Sequence, residues 1–221
     1  MCVAADKSKL LVIGTQQLKA TKVSQEQISI TVDGEKIEES CSEKLLGLVL
    51  NNQLTWKNHL YGDANNLGLI SQLSKRVGMV KMLSKYMNKT RLKEFICGMF
   101  YSKLSYCLPV FGNVFGMEKY KEQNRRYMSF TVKDNNRLQI LQNKVNRLLL
   151  DADPLTPTAD LLQLTNSLSI HQMTAYQTAV LVHKVVQSGK PGHIADKMRP
   201  RMTSISLRYD ICILYTFILQ L

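Results

Sequence analysis

The chain has 221 residues, of which 45% are hydrophobic, and a formal net charge of +12. This length can bury one or two modest cores, and the apolar content excludes wholesale disorder. Five cysteines without a Cys-x-x-Cys pair and four scattered histidines exclude a disulfide framework and a local zinc cluster. We expect an intracellular protein, nuclear or cytoplasmic, because residues 1–14 carry charges that a secretory signal would lack.

The positive charge is concentrated in one third of the chain. Residues 75–147 hold 16 basic and 4 acidic side chains, whereas residues 1–74 hold 7 and 8, and residues 148–221 hold 6 and 5. A polyanion binds such a region by releasing counterions. The pattern therefore favours a nucleic-acid partner over a solvated helical surface, in which the signs mix more evenly.

The first 55 residues are predicted to form strands. The apolar run Lys9–Gly14 indicates one strand, and the alternation over Ile28–Val32 followed by Asp33-Gly34 indicates a hairpin. Leu45–Leu50 predicts another strand, buried on both sides. Gly47 within this strand suggests that another backbone approaches closely.

From Trp56 onward the apolar spacing becomes helical. Thr55 is a candidate cap for a first helix, and Gly78 is a candidate bend within it. Its apolar face is predicted to comprise Leu60, Leu67, Ile70, Leu73 and Val77. Trp56 is interpreted as a core anchor, and His59 as a structural hydrogen-bonding residue, since no nucleophile or carboxylate is placed near it.

Two further amphipathic helices follow. Asn88 or Thr90 caps one, and Arg137–Leu150 forms the other. Their apolar faces are predicted to hold Leu92, Phe95, Ile96, Met99, Phe100 and Leu104 in the first, and Leu138, Leu141, Val145, Leu148 and Leu149 in the second. The aromatic residues on these faces are interpreted as core rather than as base-stacking platforms. Pro109 is expected to end regular structure.

The last third begins with a proline-bearing turn, Asp151–Thr158. Its acidic residues, together with Asp160, are interpreted as turn and cap residues and not as a metal site. Helices are expected from Thr158 or Asp160 to Leu168 and from Ser169 to Val186, the second stopping at Ser188-Gly189. The apolar stretch 211–221 is too short to span a bilayer and is typical of a frameshifted, read-through or truncated end.

Several of these segments together resemble the reverse transcriptases of non-LTR retrotransposons, the LINE-type and jockey-like elements. The segment Lys44–His59, with its Leu-Gly, Leu-Thr-Trp and His, is similar to the family's junction between palm and thumb. The resemblance extends from about residue 5 to residue 200. Its other parts are Lys7–Thr15, Tyr101–Tyr106, Pro109–Gly112, Leu138–Arg147 and Leu161–His171. The family's Phe/Tyr-Ala-Asp-Asp catalytic motif does not occur in the chain.

The resemblance implies an α+β fold: a short N-terminal sheet or hairpin, as a palm remnant, followed by a mostly helical thumb-like bundle. The expected regions are palm-end strands at 1–55, a basic helical bundle at 56–150, a C-terminal helical region at 151–200 and an atypical tail at 201–221. Leu46, Gly47 and Leu48 correspond to the family's primer grip. A small sheet packing on the palm is an equally good interpretation of these three residues.

Under this interpretation the chain is a fragment of an RNA-directed DNA polymerase that is inactive alone. It binds an RNA or DNA template-primer through phosphates, has no membrane association, and pairs with the missing polymerase domain. Mg²⁺ is expected only for the intact parent, where carboxylates would hold it. The candidate phosphate-binding residues are Lys75, Arg76, Lys89, Arg91, Lys93, Arg125, Arg126, Lys144 and Arg147. Two alternatives remain open: a stand-alone basic nucleic-acid-binding protein, and a degenerate open reading frame.

Overall fold

A computed structural model describes residues 8–14, 30–32, 34–112 and 131–196. Two small antiparallel sheets of two strands each precede a helical region, which confirms the predicted α+β class. Strands β1 (Thr31–Val32) and β2 (Glu35–Lys36) form the predicted first hairpin, with Gly34 at a φ of 85° in its turn. The glycine accommodates this left-handed conformation at no steric cost.

The second hairpin corrects the prediction of one buried strand over Leu45–Leu50. Strand β3 (Ser42–Leu45) pairs with β4 (Leu48–Asn51), so the predicted strand is split by a two-residue turn. Leu46 and Gly47 form this turn, with φ values of 48° and 85°. Positive φ at both central residues gives the twist that joins antiparallel strands tightly. Leu46 is 81% exposed, so the residues expected to be buried on both sides lie at an exposed tip.

The predicted strand over Lys9–Gly14 is mostly wrong. Only Leu10 makes a β-bridge, with Glu39, and residues 11–14 have no regular structure. The segment still runs beside the second hairpin, because Gly14 donates to the Asn52 carbonyl at 3.0 Å and Ser40 donates to the Leu10 carbonyl at 2.8 Å. Together with the bond from the Leu10 amide to the Glu38 carbonyl at 3.3 Å, these backbone bonds fix the position of the segment without building a ladder.

The first helical segment is two helices rather than one. Helix α1 (Lys57–Tyr61) ends at Gly62, whose φ is 93°, and helix α2 (Leu69–Leu83) begins after Gly68. Between them Asp63 accepts hydrogen bonds from the backbone of Asn65 and Asn66, which closes a turn. Leu67, expected on the buried face, is consequently 48% exposed.

Two further details of this segment differ from the sequence prediction. Trp56 occupies the cap position of α1 without a side-chain cap bond, while Thr55 accepts a hydrogen bond from Asn51 at 2.6 Å. Gly78 is exposed and does not interrupt α2.

The second helical segment contains a π turn. Helix α3 (Lys89–Ile96) is capped by Asn88, as predicted. It continues through a π turn (Cys97–Tyr101) into α4 (Ser102–Ser105). A short α5 (Leu108–Phe111) follows Cys107, which has a φ of 54°. The structure places Pro109 inside the first turn of α5, not at the end of regular structure, because proline needs no amide hydrogen there.

The C-terminal helices largely follow the prediction. Helix α6 (Val132–Leu150) starts earlier than expected, at a capping box formed by Thr131 and Asp134. Helix α7 (Thr158–Thr165) and helix α8 (Ile170–Ser188) match their predicted starts, and Gly189 ends α8 with a φ of 63°. The short α9 (Gly192–Ala195) comes last. The apolar stretch 211–221 lies outside the described residues.

The core lies between the helices. Its buried side chains are Leu60, Leu69, Leu73, Val80, Leu92, Ile96, Phe100, Leu104, Leu108, Phe111, Leu138, Leu141, Val145, Leu149 and Ile170. This confirms that the aromatic residues of the second segment are core, and Trp56 packs against the same cluster. In the described part of the chain, no helix is both long and apolar enough to cross a membrane.

Candidate nucleic-acid interface

Three of the candidate phosphate-binding lysines are exposed and uncommitted. Lys75 lies on α2, Lys93 on α3 and Lys144 on α6. None of them makes a hydrogen bond or an ion pair with another residue in the described ranges. An exposed ammonium group without a partner can bind a phosphate at no cost in broken protein contacts, so these lysines fit the predicted role geometrically.

Three other candidates already have partners. Lys89 donates from Nζ to the Leu150 carbonyl at 3.3 Å, at the C-terminal end of α6, where a cation is favoured. Arg91 pairs with Glu94 at 3.1 Å on the exposed face of α3. Arg76 is half-buried and donates to the Met99 carbonyl in the π turn. Exposed pairs are weak, so Lys89 and Arg91 can exchange partners readily.

Arg147, a candidate phosphate-binding residue, is not on the exposed polar side of its helix. It is half-buried, and its Nη2 donates to the Thr156 carbonyl at 3.0 Å. Its Nε atom is buried without a partner. The guanidinium therefore ties the Asp151–Thr158 turn to α6. Arg125 and Arg126 lie outside the described residues.

The three residues of the primer-grip resemblance are not one strand. Leu46 and Gly47 form the tip of the second hairpin, and Leu48 opens β4 and packs against the core. A side chain rather than a backbone approaches Gly47, since a Cβ atom there would lie 3.3 Å from the Tyr106 ring. The Tyr106 hydroxyl donates to the Leu46 carbonyl at 2.6 Å. This contact joins the hairpin tip to the end of α4.

A set of four amide side chains on α6 has a role that the sequence reasoning missed. We call it the amide ladder; its members are Gln139, Gln142, Asn143 and Asn146. Gln142 is fully buried and donates to the Leu168 carbonyl at 2.7 Å. Gln139 accepts from the Ile170 amide at 3.0 Å, and Asn143 donates to Thr158 at 2.8 Å. The signal was available in part, because these four of the six amides in α6 recur at helical spacing.

The amide ladder fixes the position of α7 and α8 against α6. Asn146 accepts from the Tyr101 hydroxyl at 3.0 Å and donates to Ser167 at 3.2 Å, which links the π turn to the same connection. A cavity of about 220 Å³ lies here, lined in part by Lys93, Cys97 and Tyr101. The hydroxyl and amide groups around it bond mainly to one another. The ladder is thus a structural clamp in the segment that carries the family resemblance.

Two buried polar contacts connect α1 to its surroundings. His59 accepts a hydrogen bond from the Val49 amide at its Nδ1, as the structural interpretation predicted. Burial, followed by the nearby charge of Lys103, lowers the pKa of His59 from 6.5 to about 4, so the imidazole is neutral at pH 7. Tyr61 donates to the buried carboxylate of Asp134, and Arg137 stacks 4.9 Å from the Tyr61 ring.

The Asp134 carboxylate stays charged although it is buried. Burial alone would raise the pKa of Asp134, but hydrogen bonds from Tyr61 and Thr131 and the charge of Arg137 hold it below its ordinary value. This carboxylate serves α6 as a capping residue and α1 as an anchor. Both of its oxygens are consequently committed to structural hydrogen bonds.

A group of three cations, which we call the junction cluster, lies where the second hairpin meets the helices. It consists of Lys44 on β3, Arg76 on α2 and Lys103 on α4. Burial, and then the charges of Arg76 and Lys44, hold the pKa of Lys103 below its ordinary value. Lys44 and Lys103 were not among the predicted phosphate ligands, because only the folded chain brings them beside Arg76.

The acidic residues of the C-terminal turn act locally. Asp151 ends α6 with a φ of 57°, Asp153 accepts from the Leu155 amide at 2.7 Å, and Asp160 lies in the first turn of α7. These are the predicted turn and cap roles. Within residues 8–14, 30–32, 34–112 and 131–196, no three metal-ligating side chains come together.

These features define the class as a small α+β protein whose basic helices form a bundle beside a hairpin. Compared with known proteins, the chain matches no family model, no curated protein and no solved structure.

Proposed function

We propose that this chain is a piece of a non-LTR retrotransposon reverse transcriptase that holds the phosphate backbone of a template-primer. The observation that carries the proposal is the excess of 12 positive charges over residues 75–147. The described helices of this region bury their apolar sides in a common core. The described part of this region holds Lys75, Lys93 and Lys144 exposed and unpaired. Contacts of this kind to phosphates position a duplex without reading its sequence.

The resemblance of Lys44–His59 and of the later segments supports the family assignment. Catalysis by the parent polymerase would require carboxylates that hold Mg²⁺, and this sequence contains no Asp-Asp pair. The piece therefore contributes binding, while nucleotide transfer belongs to the intact polymerase. A primer-extension assay with Mg²⁺ and nucleotides should give no product with this chain alone.

Binding is tested with the whole chain and an RNA–DNA hybrid of about 20 base pairs, followed by fluorescence anisotropy over a series of salt concentrations. We expect an affinity that falls linearly with salt on logarithmic axes. Lys75→Ala with Lys144→Ala should weaken binding and reduce the salt slope by about two. The matched control removes the same charge at Lys184 and Lys190, which are exposed at the end of α8 and beyond it. Equal losses in both pairs would indicate a nonspecific charge effect and contradict the proposal.

A second candidate is a stand-alone nucleic-acid-binding protein. It is favoured by the core itself, because one cluster of buried side chains runs from Leu60 to Ile170 within this chain. The upstream coding sequence separates the two candidates. An in-frame Asp-Asp motif would support the polymerase, and stop codons or unrelated sequence would leave binding as the function. A non-cooperative melt of the purified chain would instead support a degenerate reading frame.

A further inference from the structure

The junction cluster of Lys44, Arg76 and Lys103 is a concentration of like charge that the described residues do not neutralise. In the part of the chain that the structure describes, none of the three forms an ion pair with a carboxylate. Lys103 and Arg76 are half-buried, and Lys44 is exposed. Cations that are close together and partly removed from water repel one another more strongly than they would in solvent.

The backbone geometry explains why these charges meet. Lys44 pairs with Val49 across β3 and β4, so both side chains leave the same face of the hairpin. The Val49 side chain is buried, so this face is turned toward the helices. Glu43, the neighbouring carboxylate on β3, points to the opposite face. Lys44 therefore approaches the helices without its acidic neighbour.

Specific contacts hold Arg76 and the short helix that carries Lys103 in place. One Nη1–H group of Arg76 is fixed by the Met99 carbonyl, and a guanidinium has further N–H donors that remain for another acceptor. The bond from Tyr106 to the Leu46 carbonyl closes the end of α4 onto the hairpin tip, two residues beyond Lys44. Lys103 lies on the same short helix α4, three residues before Tyr106. The Arg76 guanidinium and the helix that carries Lys103 are thus positioned before any ligand arrives.

We propose that the junction cluster binds a phosphodiester group of the nucleic-acid backbone and is the strongest phosphate contact of this chain. The inference rests on the proposed function and identifies where the backbone is held. An anion at this point would relieve the repulsion among three cations, two of which are partly removed from water. Charge-assisted bonds from partly buried donors are also stronger than exposed ones.

The test replaces Lys44 and Lys103 by methionine, which keeps the aliphatic length of each side chain and removes its charge. The double variant K44M/K103M should fold and melt at or above the temperature of the wild type, because repulsion is removed. Its affinity for the RNA–DNA hybrid should fall about tenfold or more, and its salt slope should decrease by one to two. The control K184M/K190M should change affinity less than about threefold.

The outcomes separate this inference from the function on which it rests. If the wild type binds no hybrid, the proposed function fails and the cluster assignment fails with it. If the wild type binds but K44M/K103M binds equally well, only the cluster assignment is overturned. Pyrophosphate provides a further arm. Pyrophosphate could raise the melting temperature of the wild type but not that of K44M/K103M, while both proteins bind the hybrid equally well. That result would mean that the cluster holds a small anion and that its assignment to the nucleic-acid backbone is wrong.

Discussion

The second hairpin and the helical bundle differ in how they are stabilised. The bundle buries side chains from successive helices in one cluster, whereas the hairpin contributes Val49 as its buried hydrophobic residue and leaves Leu45 and Leu46 59% and 81% exposed. Burial of apolar area is the main favourable term in folding, so the bundle stabilises itself and the hairpin depends on it. The comparison teaches that a segment on which a sequence resemblance rests can have little core of its own.

The largest effect should come from opening the bundle core. Phe100 is fully buried, so Phe100→Ala should lower the free energy of unfolding by about 3–5 kcal/mol through lost burial and the cavity left behind. Denaturant unfolding followed by circular dichroism measures this. The matched control is Tyr86→Ala, because Tyr86 is 85% exposed and its loss should change stability by less than about 0.5 kcal/mol. Similar losses in the two variants would contradict the assigned core.

Acidification should act at the contact between hairpin and bundle. The folded protein holds His59 neutral with a pKa of about 4, below the 6.5 of the unfolded chain, so the unfolded state binds the extra proton between these values. Stability should therefore fall by about 2–3 kcal/mol as the pH drops from 6.5 toward 4. His59→Gln should remove this part of the pH dependence. The exposed His183, replaced in the same way, should leave it unchanged.

The amide ladder should give a smaller and more local effect. Gln142→Ala leaves the Leu168 carbonyl without its donor and should cost about 1–3 kcal/mol. Hydrogen exchange should show faster exchange in α7 and in the first turn of α8 than elsewhere. Gln163→Ala, at an exposed position on α7, is the control. Uniform acceleration across the bundle would argue against a clamp confined to this connection.

The smallest effect should be at the hairpin tip. Leu46→Ser should change stability by less than about 0.5 kcal/mol, because the side chain is 81% exposed. Its neighbour provides the contrast: Gly47→Ala places a Cβ atom at a φ of 85° and 3.3 Å from Tyr106, and should cost about 1 kcal/mol. Thermal melts of the two variants measure the difference. A larger loss for Leu46→Ser would mean that the tip is buried in solution.

The helices and their ends were predictable from the sequence because their signals are local. Asn88, Ser169 and Gly189 act at the ends of helices, as their residue types indicated. The turn at Leu46-Gly47 was missed because a run of leucines resembles a buried strand, and nothing in the run marks the exposed side. Arg147 was misjudged for a different reason: its partner, Thr156, lies beyond the end of its helix.

The candidate site was predictable only in part. The charge excess and the lysines on outer faces follow from composition and periodicity. The junction cluster does not, because Lys44, Arg76 and Lys103 lie in different elements and meet only through the packing of a hairpin against two helices. The helical spacing of the amide ladder was visible in the sequence. Its partners lie mostly around α7 and at the start of α8, and nothing in the sequence shows that these segments pack against α6.

The π turn at Cys97–Tyr101 sets the rotation, about the helix axis, of the residues that follow it. In this turn the Ser102 amide bonds to the Cys97 carbonyl, five residues back instead of four. One additional residue rotates the following helix by about 100° relative to an uninterrupted α-helix. Lys103 and Tyr106 face the hairpin because of that rotation. Deletion of one residue here, for example the exposed Gly98, would keep both helices but change the rotation of α4 relative to α3. The length of this turn therefore determines which side chains contact the hairpin.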